Sequence, residues 1–343
     1  MARFGIYRIV VVACFLLPAA PACAQAPAIK IVLLGTGRPD PAIDRFGPAT
    51  LVEAGGQKLL FDAGRGASQR LWQLKIPLGQ VQALFLTHLH SDHTVGIPDL
   101  WLTSWLPAPF GGRNTPLEVW GPAGTGEMMS SLRKAYQWDI HVRGDGEQLP
   151  AAGSEVLAHD IAEGVVYDRG GVKVTAFLVD HGGLLTPAFG YRVDYAGHST
   201  VISGDTRFNE NLIRHAAGTD VLVHEVAAVQ PGLLQASPTA AIARRILGFH
   251  TSPEDAGRVF ARVKPKLAVF THVVLLTTDR DFPPPTGADV MRRARTTYGG
   301  KVVLGEDMMT IDVGDEIEVQ RFTQVAQPLK PPLANPASAD LHR

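Results

Sequence analysis

The feature that most constrains this chain is the run Thr87-His88-Leu89-His90-Ser91-Asp92-His93. It follows an apolar stretch, residues 83–86, that reads as a buried strand, and it leads into the small-residue stretch Thr94-Val95-Gly96. A strand that ends in a loop can turn several side chains toward one point. Three imidazoles and a carboxylate between positions 88 and 93 are the donors zinc takes where no thiolate is at hand. A lone buried histidine is usually structural. Three at this spacing, with an aspartate between them, point to metal.

Three further strand ends repeat the pattern. The apolar run 172–179 precedes His181, Val201-Ile202-Ser203-Gly204 precedes Asp205, and the run 267–271 precedes His272. Each alone could be a capped strand end, but four strand ends converging on one site is the simpler account. Seven ligands suit two metals better than one. His88, His90 and His181 fit one ion, Asp92, His93 and His272 fit the other, and Asp205 can bridge them. Zinc is the expected ion, although manganese and iron(II) accept the same donors. Each zinc would keep room for a shared water whose pKa falls toward ~7.

Thiolate is absent from this scheme for a reason. The chain has 2 cysteines, Cys14 and Cys23, and both lie in an N-terminal segment that reads as a secretory leader. Arg3 and Arg8 give it a positive start, residues 9–20 form an apolar run short for a membrane span, and Ala22-Cys23-Ala24 fits a small-x-small cleavage site. Residues 1–24 are therefore expected to be removed, leaving a periplasmic or secreted protein with no membrane span and no disulfide. The expected hydrolase domain covers 25–326, and a Pro/Ala-rich flexible tail covers 327–343. A composition of 45% apolar and 19% charged residues is globular. The net charge of −1 offers no broad basic face for nucleic acid.

Between these landmarks, short apolar strands alternate with helical stretches, an α/β or α+β pattern in one domain. Gly55-Gly56 predicts a hairpin between strands at 50–53 and 58–61. Residues 144–170 read as loop. Trp101 and Trp105 stand one turn apart on an apolar helix. They read as core or, with Phe110, as an apolar wall for an aromatic leaving group. Ser252-Pro253-Glu254-Asp255 reads as a helix start, with Ser252 as N-cap and Pro253 in the first position. His250 would sit beside that anion-favouring end as substrate anchor or general acid, or else face solvent near the cap.

The ligand set and its order resemble the metallo-β-lactamase superfamily, from Leu33-Leu34-Gly35-Thr36-Gly37 through to His272. The resemblance implies a four-layer αβ/βα sandwich with a dinuclear site at one edge of two sheets. Within the superfamily the chain is similar to the branch holding ribonuclease Z and the zinc-dependent arylsulfatases. That likeness rests on His88–Leu100, Gly121-Pro122-Ala123-Gly124-Thr125, Ala188-Phe189-Gly190-Tyr191-Arg192, His224-Glu225 and His250-Thr251-Ser252. Asp205 stands where zinc β-lactamases use cysteine, which argues against a lactamase.

The resemblance further implies Asp92 as a proton acceptor, and Asp62, His224 and Glu225 as partners that orient the ligands. Transfer-RNA-processing members carry a long arm between the equivalents of His181 and Asp205, where this chain has only residues 182–204. With the neutral charge and the leader, this argues against nucleic acid. The leading expectation is an arylsulfatase-like hydrolase of small anionic esters, sulfate esters or phosphodiesters. The alternatives are a ribonuclease Z-like phosphodiesterase, a lactonase or β-lactamase-type carbonyl hydrolase, and a catalytically silent metal-binding protein. The resemblance also allows a homodimer.

Overall fold

The structure is a computed structural model that describes residues 1, 27–183 and 185–323. The expected leader (Met1 apart), both cysteines and the 327–343 tail lie outside the described residues. Six strands come first: β1 (Ile29–Gly35), β2 (Ala49–Ala54), β3 (Gln57–Phe61), β4 (Ala83–Phe85), β5 (Leu117–Gly121) and β6 (Val156–Asp160). Seven more follow: β7 (Gly164–Arg169), β8 (Val172–Val179), β9 (Ala188–Tyr195), β10 (His198–Ile202), β11 (Val221–Val229), β12 (Leu267–Leu276) and β13 (Val302–Leu304). The last two, β14 (Met309–Val313) and β15 (Ile317–Gln320), return to the first group. The two sheets run β15-β14-β1-β2-β3-β4-β5-β6 and β13-β12-β11-β10-β9-β8-β7.

The period-2 alternation of the strands explains the layering. Along β1, Ile29, Ile31 and Leu33 join Phe61, Phe85, Tyr191, Val193 and Val223 in a core between the sheets. Val32 and Leu34 point the other way, toward Leu71, Ile97, Leu100 and Trp101 of the outer helices. On the second sheet Leu222, Ala268 and Phe270 face Val259, Phe260 and Val290 of helices Pro253–Val263 and Gly287–Ala294. The result is the expected four-layer αβ/βα sandwich.

β10, β11 and β12 are parallel, as are β3, β4 and β5, so their C-terminal ends gather at one edge, where ligand-binding side chains collect in open α/β sheets. The loop expected over 144–170 instead contains β6 and β7. Both are half-exposed, and apolar Leu157 and Val165 stand on their exposed positions, so no apolar/polar alternation marked them. Among the described residues no helix is long and apolar enough to cross a membrane.

Candidate metal centre

β4 ends at Phe85, and the chain turns through His88 and His90 into the short helix Ser91–Thr94, which carries Asp92 and His93. β8 delivers His181, and β10 delivers Asp205 after Gly204. Gly204 has φ 60, and a Cβ there would lie 2.6 Å from the Phe189 carbonyl oxygen, so only glycine fits this turn. His272 was expected just beyond a strand ending at 271. It lies inside β12 instead, as the extra residue of a bulge: Glu225 pairs with Thr271 and Val226 with Val273. Its φ of 40 is a costly left-handed conformation for a non-glycine residue, and its imidazole lies in the site.

The seven expected ligands meet. Donor atoms of His88, His90 and His181 form one group, and those of Asp92, His93 and His272 another, each lying within 4.8 Å of one another. His88 Nε2 is 3.0 Å from His90 Nδ1, which is 3.4 Å from His181 Nε2. Asp205 Oδ2 stands between the groups, 3.0 Å from His272 Nε2, 3.5 Å from His93 Nε2 and 3.7 Å from His181 Nε2. Asp92 Oδ2 faces His272 Nε2 at 3.5 Å and His93 Nε2 at 3.7 Å.

The far ring nitrogens of His88, His93 and His181 are tied down, which fixes the orientation of those three rings. Thr87 Oγ1 lies 3.0 Å from His88 Nδ1, Asp62 Oδ2 lies 2.8 Å from His93 Nδ1, and the Phe249 carbonyl accepts from His181 Nδ1 at 2.8 Å. Asp62 also accepts from the Thr87 N–H and hydroxyl at 2.8 and 2.9 Å. The Asp62 expectation thus matches the geometry. Thr87 opens the sequence run, yet the sequence assigns it no role. The Phe249 carbonyl left no side-chain signal at all.

Two expectations change. His224 points away from the cluster: it is buried against Phe260, its Nδ1 donates to the Glu225 carbonyl, and burial lowers its pKa. Alternation along β11 explains this, since His224 and Glu225 must face opposite sides of the sheet. Glu225 faces the site. Trp101 and Trp105 are fully buried, and their indole N–H groups donate to the Ser154 and Pro150 carbonyls. They are core and form no wall of the site.

His250 joins the cluster. Its Nδ1 lies 3.4 Å from Glu225 Oε2 and 3.9 Å from Asp205 Oδ2, and its donor atom groups with those of His181 and Asp205. Ser252 caps helix Pro253–Val263 by accepting from the Asp255 N–H, as its sequence predicts.

The protonation pattern divides the histidines. Burial holds His88, His90 and His181 below their usual value, so all three rings are neutral donors of a lone pair. Burial, the largest single effect, opposes charge on His93 and His272, but Asp205 together with Asp62 at His93 and Asp92 at His272 outweighs it and raises both, His272 to about 10. Burial would push Asp205 up, yet His272 and His93 hold it well below the carboxylate range. His93 Nε2, both ring nitrogens of His272 and His250 Nδ1 are buried without a hydrogen-bond partner. Buried polar atoms are normally paired. Nitrogen and carboxylate donors crowded without partners fit cations, so the residues present suit a metal centre.

This fold with a His/Asp cluster at the sheet edge defines a metallo-β-lactamase-type hydrolase. The β-lactamase superfamily domain matches residues 57–273. Ribonuclease Z of Mycobacterium marinum is 36% identical over 287 residues, covering 83% of this chain and 99% of that protein. Ribonuclease Z of Mycolicibacterium gilvum is 35% identical over 285 residues, covering 83% and 96%. The chain belongs to the metallo-β-lactamase superfamily and, within it, to the ribonuclease Z branch. Solved structures of the same fold include a metallo-β-lactamase fold protein, YhfI, from Bacillus subtilis (TM-score 0.62, 17% identity, 82% of this chain and 98% of that one). Another is the short form of human tRNase Z (TM-score 0.58, 21% identity, 83% and 99%).

Proposed function

We propose that this chain is an exported two-zinc phosphodiesterase. The observation that carries the reading is Asp205, one carboxylate facing both ligand groups at 3.0 to 3.7 Å. His88, His90 and His181 would hold one ion, Asp92, His93 and His272 the other, and Asp205 would bridge. Bound there, two zinc ions would bring the pKa of water toward ~7 and offset negative charge on phosphate oxygens.

The chain's own groups supply the rest. Against the opposing effect of burial, Glu225 raises the His250 pKa, which favours the protonated ring. With Nδ1 turned to Glu225, Nε2 is left to give that proton to the leaving oxygen. Asp92 combines its place among the ligands with acceptance of a proton from the attacking water. Asp62 and Thr87 hold the rings of His93 and His88 in place.

The ribonuclease Z relatives support a phosphodiester over the sulfate ester that led the sequence expectation. They also bring nucleic acid back among the candidate substrates. Residues 182–204 contain all of β9 and β10 and leave no length for a projecting arm, so RNA would have to be held by another surface. The leader composition of residues 1–24 supports action outside the cytoplasm by a domain spanning 25–326.

The test uses zinc-loaded protein starting at Gln25, comparing kcat/KM for bis(p-nitrophenyl) phosphate, p-nitrophenyl sulfate and a short RNA. Preference for the diester or RNA supports the reading, and RNA cleavage names the substrate class. Preference for the sulfate overturns it in favour of a sulfatase.

A further inference from the structure

A cavity of about 420 Å³ opens beside His250. Its walls are Ala227 and Val229 at the end of β11, with Leu234 and Leu247 from helices Pro231–Ala236 and Ala240–Leu247. The Ala227 N–H donates to the Thr251 carbonyl at 2.9 Å, which fixes the cavity wall against the segment carrying His250. His250 is therefore a shared boundary: it lines this cavity and also approaches Asp205 to 3.9 Å.

The polar lining argues against an anion here. Arg293 also borders the cavity, but its guanidinium is already paired, donating to both Glu254 carboxylate oxygens at 2.7 and 2.9 Å and to the Val229 carbonyl at 3.2 Å. Glu254 and Asp255 add carboxylates to the same rim. A phosphate would be repelled, whereas an apolar group gains from leaving water at about 25 cal/mol per Å². The volume falls in the range of small-molecule pockets.

We propose that this cavity is the subsite for a planar aromatic group carried by the phosphate ester, either an aryl alcohol esterified directly or a nucleobase joined through its ribose. The proposal rests on the phosphodiesterase reading for where the phosphate sits. It puts the phosphate against the His/Asp cluster and passes the aromatic group beyond His250, between Leu234 and Leu247.

The test is binding of phenylphosphonate and methylphosphonate, which share a headgroup, to the zinc-loaded protein by calorimetry. The wild type is expected to bind the phenyl compound at least about ten-fold tighter. Leu247→Asp and, separately, Leu234→Asp are expected to remove that preference while leaving methylphosphonate affinity within about two-fold, which also shows that the site is folded. Equal affinities in the wild type, or a preference that survives both substitutions, overturn the proposal. Adenosine 5′-monophosphate as a third probe separates the sources: tighter binding than phenylphosphonate assigns a nucleobase, weaker binding an aryl ester. Hydrolysis of bis(p-nitrophenyl) phosphate is measured on the same samples. Hydrolysis without a phenyl preference removes the cavity role and keeps the phosphodiesterase reading. A phenyl preference without hydrolysis removes that reading and keeps the cavity as an aromatic site.

Discussion

Glu225 Oε2 lies 3.4 Å from His250 Nδ1, while Glu225 Oε1 accepts from the N–H groups of Thr251 at 2.9 Å and Thr206 at 3.3 Å. The backbone fixes one oxygen so that the other faces the ring. Burial alone would lower His250, and the Glu225 charge reverses this.

Glu225→Gln keeps the shape and removes the charge. We expect metal content to stay constant and kcat to fall by roughly 10²-fold, the scale of general acid catalysis. The alkaline limb of the kcat–pH profile should move to lower pH, because His250 then loses its proton sooner. A profile that does not move would remove His250 as the acid.

Asp205 faces His93, His181 and His272, so it serves both ligand groups. Asp205→Ala should reduce bound zinc and activity together, measured by elemental analysis and bis(p-nitrophenyl) phosphate turnover. Two zinc ions retained with normal turnover would end the bridging assignment.

Asp62 acts one step further out. Its Oδ2 meets His93 Nδ1 at 2.8 Å, and its Oδ1 accepts from the Thr87 N–H. It also adopts φ 59, a costly conformation for a non-glycine residue. Asp62→Ala should weaken zinc affinity by about 10- to 100-fold, the usual scale for losing a residue that orients a metal-binding histidine. A competition titration with a chelator checks this. Unchanged affinity would reduce Asp62 to a turn carboxylate.

The metal cluster was legible in the sequence because strand ends deliver ligands one at a time, so an apolar run followed by His or Asp marks each of them. The four-layer arrangement was legible only through the family resemblance, because Ile31, Val32, Leu33 and Leu34 are all apolar and the run does not show which face each one takes. Parts that depend on contacts between distant segments were not. Nothing local shows that His272 sits on a bulge, since the bulge exists only relative to β11. His224 and Glu225 are neighbours in sequence, and only the sheet decides that Glu225 faces the site. The edge strands β6, β7 and β15 lack the alternation that one-sided burial usually gives, because apolar Leu157, Val165 and Val319 occupy exposed positions. The Trp101 and Trp105 pair was ambiguous until their indoles met the backbone of residues 150–154.

The two groups of histidines predict how metal binding couples to pH. In the metal-free chain, against burial, Asp205 with Asp62 raises His93 well above 6.5, and Asp205 with Asp92 raises His272 to about 10. A raised folded value contributes stability that is fully present below the unfolded value of 6.5 and is lost as pH rises through the folded value. The melting temperature of the metal-free protein should therefore fall between pH 6.5 and about 10. Asp205, held below 3.8, acts in the opposite sense, contributing stability above that value that is lost as pH falls through its folded value. Zinc requires both rings neutral, so loading near pH 7 should release protons. Calorimetric zinc titrations in buffers of different ionisation enthalpy measure that release. The zinc-loaded protein should show a flat melting temperature over the same alkaline window. Zinc uptake without proton release, or equal alkaline sensitivity of both forms, would show that His93 and His272 are not the rings the metal occupies.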